Sequence, residues 1–72
     1  MKEVTPGTYR HYKGHLYKVI GTGMHTETEE KLVLYQSLYG GYELWARPLS
    51  MWFETVEYEN QTLPRFTLVQ NE

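Results

Sequence analysis

Short runs of alternating polar and apolar residues, each interrupted by glycine, are the feature that most constrains the fold of this chain. Three of them read GTYRHYKG, LYKVIGTG and LVLYQSLYGGYELWARP. Alternation with a period of two is typical of strands that bury one face, and glycine allows the turns and bulges between them. Tyrosine suits such strands because its ring packs inward while its hydroxyl reaches water. The pattern predicts a small, tightly curled antiparallel sheet.

The length of 72 residues predicts one domain spanning residues 1–72. A chain this short buries only about 60% of the surface that its unfolded form exposes. It has no cysteine, so neither disulfides nor thiolate zinc sites can add stability. We therefore expect the aromatic rings to form much of the core. Residues 1–6 and 70–72 are expected to fray.

Six strands are predicted, at residues 8–12, 15–20, 31–38, 42–47, 54–58 and 66–69. The polar segment 25–30 (HTETEE) lacks alternation and is predicted to be an ordered loop, while Gly21 and Gly23 are predicted to mark a bulge or sharp bend. Pro48 ends the fourth strand, and 49–53 (LSMWF) is predicted to form a 3₁₀ turn that plugs one end of the sheet. These elements predict an SH3-like antiparallel barrel, although an OB-like or open meander would use the same signals.

The Gly40-Gly41 pair predicts a two-residue hairpin loop. Counting outward from it places Tyr35, Ser37 and Tyr39 opposite Ala46, Leu44 and Tyr42, so Val33, Tyr35, Leu44 and Ala46 become the expected core set. Trp45 and Arg47 then lie on the other face, with Leu34, Gln36, Leu38 and Glu43. A second two-residue loop, at Lys13-Gly14, is predicted to place His15 opposite Tyr12 and on the face opposite His11.

The chain also resembles a small bacterial family of stand-alone proteins, a domain of unknown function, over nearly everything from Gly7 to Phe66. The family pattern is GxYxHYKG, then H[ST]ET, YxxLYG, WxRPxxMF and PRF. The matching positions in this chain are Gly7, Tyr9, His11, Tyr12, Lys13, Gly14, His25, Thr26, Glu27, Thr28, Tyr35, Leu38, Tyr39, Gly40, Trp45, Arg47, Pro48, Met51, Pro64, Arg65 and Phe66. One step departs from the pattern, since Trp52 separates Met51 from Phe53. The resemblance implies no activity.

Trp45 and Arg47 are the strongest candidates for a binding site. They stand two residues apart on one strand face, about 7 Å apart by strand geometry, so an indole and a guanidinium point the same way. An indole can stack on a flat ring, and a guanidinium can grip a carboxylate or phosphate. The structural alternative is that Arg47 merely covers Trp45 or pairs with a glutamate. The full predicted ligand-binding set is Trp45, Arg47, His25, Glu27, Tyr35, Tyr39, Lys13 and Arg65.

Catalysis has weaker candidates. His25 and Glu27 are the nearest thing to an acid/base pair and would define a small hydrolase or isomerase, with Arg47 or Arg65 holding an oxyanion. Their structural alternative is that Thr26 or Glu27 bonds the backbone donors of the loop 25–30 while His25 closes the loop over a barrel end. We predict no metal site, because strand parity separates His11 from His15. We also predict no cofactor, because no phosphate-binding glycine loop leads into a helix.

Charge and hydropathy limit the partners. Seven Lys and Arg against nine Glu give a formal net charge of −2, which does not favour a duplex-DNA binder. No apolar run approaches the roughly 20 residues that span a bilayer, so we expect a cytoplasmic protein that does not bind membranes. The sequence favours a non-enzymatic binding module for an anionic small molecule or a short extended peptide. Single-stranded nucleic acid, held by stacked rings with Arg10, Lys13, Lys18 and Arg47, is a further alternative.

Overall fold

The computed structural model describes residues 3–71 and is an antiparallel all-β fold with one short helix. Its elements in chain order are β1 (Gly7–His11), β2 (Leu16–Met24), β3 (Lys31–Ser37), β4 (Leu44–Pro48), α1 (Leu49–Trp52), β5 (Thr55–Tyr58), β6 (Gln61–Pro64) and β7 (Phe66–Asn71). Five strands form one sheet in the order β4-β3-β2-β1-β7, and β5 and β6 form a separate hairpin. The all-β antiparallel class predicted from the sequence is confirmed.

Several local predictions are confirmed and others need correction. The register of β2 against β3 shifts between Val19 and Gly21, which is the predicted bulge. The segment after Pro48 is a single α-helical turn rather than a 3₁₀ turn. Strand β6 was not predicted. It pairs with β5 across a two-residue turn in which Glu59 and Asn60 both adopt positive φ, of 52° and 65°.

The β3–β4 hairpin differs from the predicted register by one residue. Tyr35 pairs with Trp45, and Val33 pairs with Arg47. The loop contains more residues than the predicted pair Gly40-Gly41. The Ser37 N–H donates to the Glu43 carbonyl at 3.0 Å, and the Glu43 N–H donates to Ser37 Oγ at 3.0 Å. These two bonds close a five-residue loop, so the predicted two-residue Gly-Gly turn is wrong.

The register shift exchanges the two faces of β4. Directly opposed residues of an antiparallel pair point to the same side, so Trp45 and Arg47 lie on the inner face with Val33 and Tyr35. Leu44, predicted to be in the core, is 70% exposed, and Ala46 is also exposed. The prediction for Val33 and Tyr35 is confirmed, since both are buried.

The first hairpin shows the same kind of error. The His11 N–H donates to the His15 carbonyl at 2.8 Å, so the two histidines are opposite each other across a three-residue loop. Gly14 adopts φ of 108° in that loop, and His11 Nδ1 accepts the Lys13 N–H at 3.2 Å. The parity argument against a histidine pair was therefore wrong. Among residues 3–71, however, no group of three His, Cys, Asp or Glu side chains is placed to hold a metal ion.

The core lies where the inner face of the curled sheet meets α1. Val19, Val33 and Trp52 are almost completely buried. The Trp52 indole stacks on the Phe66 ring at 4.1 Å with the two planes 2° apart, and the edges of Tyr9 and Tyr35 also pack against Trp52. Ring contacts of this kind add roughly 0.5–1.5 kcal/mol each to the hydrophobic gain, so aromatic packing contributes much of the stability of this small core.

The ends of the described chain are joined to the sheet. Val4 is buried, and the Tyr9 hydroxyl donates to the Thr5 carbonyl at 2.7 Å. Gln70 and Asn71 pair with the start of β1. These residues had been expected to fray; Met1, Lys2 and Glu72 lie outside the described residues. Within residues 3–71, no helix has the length and apolar character needed to cross a membrane.

Candidate functional site

Curling of the large sheet brings its two outer strands together around one aromatic ring. Arg47 is on β4, and its guanidinium carbon lies 6.0 Å from the centroid of the Phe66 ring on β7. His11, opposite Phe66 on β1, packs its imidazole 5.2 Å from the same ring. Arg65 immediately precedes Phe66. We call Arg47, Arg65, Phe66, His11 and Tyr35 the arginine–aromatic cluster.

Both guanidinium groups of this cluster are incompletely paired. The Nε atoms of Arg47 and Arg65 are buried, and neither has a hydrogen-bond acceptor among the described residues. Arg65 Nη2 lies 3.8 Å from Glu54 Oε1, a distance that makes an ion pair but a poor hydrogen bond. A buried N–H without a partner costs about 1–3 kcal/mol. The two arginines that carry these donors both act electrostatically on His11 and Tyr35.

The electrostatics of the cluster are positive. Partial burial, reinforced by the charges of Arg65, Lys13 and Arg47, lowers the pKa of His11 below its ordinary value. His11 is therefore uncharged near neutral pH. Since its Nδ1 accepts the Lys13 N–H, the proton resides on Nε2. Burial raises the pKa of Tyr35, and the two guanidiniums oppose that rise only in part. The cluster thus presents two cations beside neutral rings.

Tyr39 and Lys13 lie at the same end of the sheet. The Tyr39 ring stacks on His15 at 4.2 Å, and its hydroxyl is 2.7 Å from the hydroxyl of Tyr17. Burial, together with this hydrogen bond, raises the pKa of Tyr17 to about 12. The Tyr17 ring contacts Phe66, so Tyr39 is linked to the cluster through it. Lys13 Nζ lies 5.8 Å from the centre of the Tyr12 ring.

Trp45 is an exposed ring on the same strand as Arg47. Trp45 lies on the same side of β4 as Arg47, and it is a residue with 47% of its surface exposed. Among residues 3–71 its indole takes part in no hydrogen bond, ion pair or ring contact. Tyr35, which pairs with Trp45 across the two strands, is only 8% exposed. Trp45 is therefore a large aromatic surface left open beside an unsatisfied cation.

His25 and Glu27 are elsewhere. His25 follows the end of β2, at the start of β3, whereas Tyr39 lies beyond the end of β3. The seven residues of β3 separate the two by about 20 Å. His25 Nδ1 accepts the N–H groups of Glu27 and Thr28 at 3.1 and 3.3 Å, and is 4.0 Å from the Glu27 carboxylate. These bonds organise the loop 25–30, but the side chain that accepts the backbone N–H groups is that of His25, whereas the structural alternative gave this role to Thr26 or Glu27.

The sequence pattern did not identify Phe66 and His11 as members of the cluster. The available signal was the adjacency of Arg65 and Phe66 in PRF, which places a cation next to a ring at the start of a strand. Arg65 itself had been named as a cation that the fold would need to bring near Arg47. Both now contribute to the electrostatic environment of His11 and of Tyr35.

Comparison with known proteins identifies the family. No curated protein matches the chain. The crystal structure of a DUF1653 protein from Bordetella bronchiseptica is similar to it, with 39% sequence identity and a TM-score of 0.89 over 100% of this chain and 95% of that one. The family model described as "Protein of unknown function (DUF1653)" matches residues 7–68. This chain therefore belongs to the DUF1653 family, whose function is unknown.

Proposed function

We propose that this protein is a non-enzymatic binding module that holds an anionic small molecule or a short extended partner segment on the face formed by Trp45 and the arginine–aromatic cluster. The observation that carries the proposal is the pair of buried Nε donors, on Arg47 and Arg65, that have no acceptor among the described residues. An anion placed between them would receive charge-assisted hydrogen bonds in a partly desolvated setting.

The surroundings of the two arginines support an external ligand over a purely structural role. A structural arginine normally pairs with a carboxylate or a carbonyl, because a charged donor without a partner is costly to bury. Arg47 has neither among residues 3–71 and makes only a ring contact, with Phe66. Its neighbour Trp45 exposes a ring that a ligand would cover. Aromatic and arginine side chains together are typical of binding hot spots.

An anion panel tests the proposal. Orthophosphate, acetate, phenylacetate, mononucleotides and short peptide pools are added while tryptophan fluorescence and melting temperature are followed. We expect at least one anion to raise the melting temperature and change the fluorescence. Arg47→Gln and Arg65→Gln should each abolish the response. Arg10→Gln, at an exposed arginine of β1, is the matched control and should respond as the parent does.

The panel also has a clear negative outcome. If no anion or peptide shifts either signal, the paired arginines are structural and the proposed function is wrong. A response that survives both Arg47→Gln and Arg65→Gln would place the binding site on another surface of the molecule.

The two alternatives have less support. In His25 the Nδ1 nitrogen is used for two backbone bonds, which suits a loop-organising role better than general-base catalysis with Glu27. For single-stranded nucleic acid, the cations divide between faces. Arg10 and Lys18 alternate with the buried Tyr9 and Val19 and so point outward, away from Arg47. A steep salt dependence of RNA affinity would reverse this preference.

The remaining parts of the proposal come from the sequence. We retain the SH3-like barrel as the predicted fold type and the cytoplasm as the predicted location. Proximity of Arg47 on β4 to Phe66 on β7 supports the barrel, since these are the two outer strands of the sheet. Barrels of this type recognise short extended ligands along exposed aromatic grooves, which agrees with the proposed role.

A further inference from the structure

We infer, building on the proposed function, that the ligand of this face carries a single carboxylate attached to a flat ring. The charge of the cluster, the exposed ring of Trp45 and the geometry of β4 each support this class. The carboxylate would lie between Arg47 and Arg65, and the ring would lie on Trp45. A free aromatic acid and the aromatic C-terminal residue of a peptide both have this chemistry.

The excess positive charge of the cluster would be neutralised by a ligand with one negative charge. Arg47 and Arg65 supply two positive charges, and Glu54 lies 3.8 Å from Arg65, which leaves one positive charge in excess. His11 is neutral near pH 7 for the reasons given above. Lys13 is exposed, so water screens its charge. A monoanion would therefore be compensated, whereas a dianion would bring an uncompensated charge into a partly buried site.

The form of the donors also favours a carboxylate. A guanidinium presents parallel N–H groups that match the two oxygens of a carboxylate. The unpaired atoms here are the Nε donors, and both are buried. The Arg47 guanidinium lies 6.0 Å from the centroid of the Phe66 ring, so an acceptor that reaches its Nε would enter beside that ring, and a flat group would displace the ring less than a tetrahedral one.

Trp45 supplies the second half of the recognition. The Phe66 ring is already covered by Trp52 on one side and touched by the edges of Tyr17 and Tyr35. The Trp45 indole is 47% exposed and has no ring partner among residues 3–71. Trp45 and Arg47 are about 7 Å apart along the strand. A ring joined to a carboxylate by one or two bonds spans that separation.

An NMR titration of the full chain tests the ligand class. The probes are phenylacetate, its uncharged analogue phenylacetamide, and phenyl phosphate, which approaches a dianion at pH 7. We expect phenylacetate to shift the indole N–H signal of Trp45 while that of the buried Trp52 moves little. Phenylacetamide should bind at least tenfold more weakly, and phenyl phosphate should also bind more weakly than phenylacetate.

Variants separate the contribution of the ring from that of the charge. Trp45→Leu should weaken phenylacetate binding about tenfold and leave the weaker binding of acetate unchanged, because only the stacking is lost. Arg47→Gln should abolish the binding of both phenylacetate and acetate. Tyr42→Leu is the matched control, since Tyr42 is a 56% exposed ring in the adjacent loop, and it should change neither affinity.

The outcomes distinguish this inference from the proposed function. If phenyl phosphate binds more tightly than phenylacetate, or if Trp45→Leu binds phenylacetate as well as the parent does, the aromatic carboxylate is the wrong class although anion binding stands. If no anion perturbs any signal, both proposals fail. Comparison of phenylacetate with N-acetylphenylalanine assigns the source: tighter binding of the second indicates a peptide C-terminus, and tighter binding of the first indicates a free acid.

Discussion

The loop at residues 25–30 and the arginine–aromatic cluster differ in whether their polar side-chain atoms have hydrogen-bond partners. In the loop, His25 Nδ1 accepts two backbone N–H groups, and Thr28 Oγ1 accepts a third from Glu30. In the cluster, Arg47 and Arg65 each keep a buried N–H without a described acceptor. The loop was the more attractive catalytic candidate by residue type. Its side chains are nevertheless hydrogen-bonded to its own backbone, whereas the two Nε donors of the cluster have no acceptor among residues 3–71.

The largest expected effect tests the packing on which the cluster rests. Trp52→Ala should destabilise the domain by about 3–5 kcal/mol, because it removes a buried ring stacked on Phe66 and leaves a cavity. Urea denaturation measures the change, and the loss is large enough to leave much of the chain unfolded at 37 °C. Trp45→Ala is the control and should alter stability by less than about 0.5 kcal/mol. Equal effects of the two substitutions would contradict the assignment of Trp45 as an exposed binding surface.

Arg47→Met should separate stability from binding. Methionine can cover Phe66 without burying an unpaired N–H, so we expect the free energy of unfolding to be unchanged or to rise by about 1 kcal/mol. Anion binding should be lost in the same variant. The matched substitution Arg10→Met, on an exposed side chain of β1, should affect neither property. A loss of stability of 2 kcal/mol or more in Arg47→Met would show that the guanidinium is structural.

The loop should behave in the reverse way. His25→Ala removes the acceptor of two backbone N–H groups, so it should cost about 1 kcal/mol in unfolding free energy and leave anion binding unchanged. His25→Asn should recover part of that stability, because an asparagine side-chain oxygen can accept the same kind of bond. Urea denaturation and the anion titration measure the two quantities. If His25→Ala changed the anion affinity, the loop 25–30 and the arginine–aromatic cluster would belong to one binding site.

The smallest effect is a pH dependence that arises in the cluster. The pKa of His11 is lower in the folded chain than its ordinary value of about 6.5, so the unfolded chain binds the proton more readily. The contribution of neutral His11 to the free energy of unfolding should therefore be fully present above about pH 6.5. It should decline as the pH falls towards the pKa that His11 has in the folded chain. An NMR pH titration of the His11 ring measures that pKa directly. A bound anion should raise it, and an unchanged value at saturating anion would place the ligand away from His11.

The sequence predicted the strands well and the two hairpin registers poorly, for a reason that the side chains make clear. Gly40-Gly41 and Lys13-Gly14 suggested two-residue loops. In each hairpin, however, a side-chain acceptor stabilises a longer loop: Ser37 Oγ in one and His11 Nδ1 in the other. The two-residue loop that does form has Glu59 and Asn60 at positive φ. Side-chain hydrogen bonds of this kind depend on where residues lie in three dimensions and leave no periodic pattern in the sequence.

The candidate site was predicted in part because its central pair does not depend on register. Trp45 and Arg47 share a face whichever way β4 is paired, since they are two residues apart. Which face they share does depend on it, and the shift of one residue places them beside Tyr35 and the core. Arg65 and His11 enter the site only through the curl of the sheet, which joins elements far apart in the chain and could not be derived from local patterns.

The positions of the two arginines at the margins of the sheet have a mechanical consequence. Arg47 belongs to the first outer strand, and Arg65 leads directly into the last. No backbone pairing between β4 and β7 is present within residues 3–71, so these margins can separate without breaking ladder bonds. A single carboxylate bound by both arginines would link the unpaired edges of β4 and β7, and would slow amide hydrogen exchange along both strands at once.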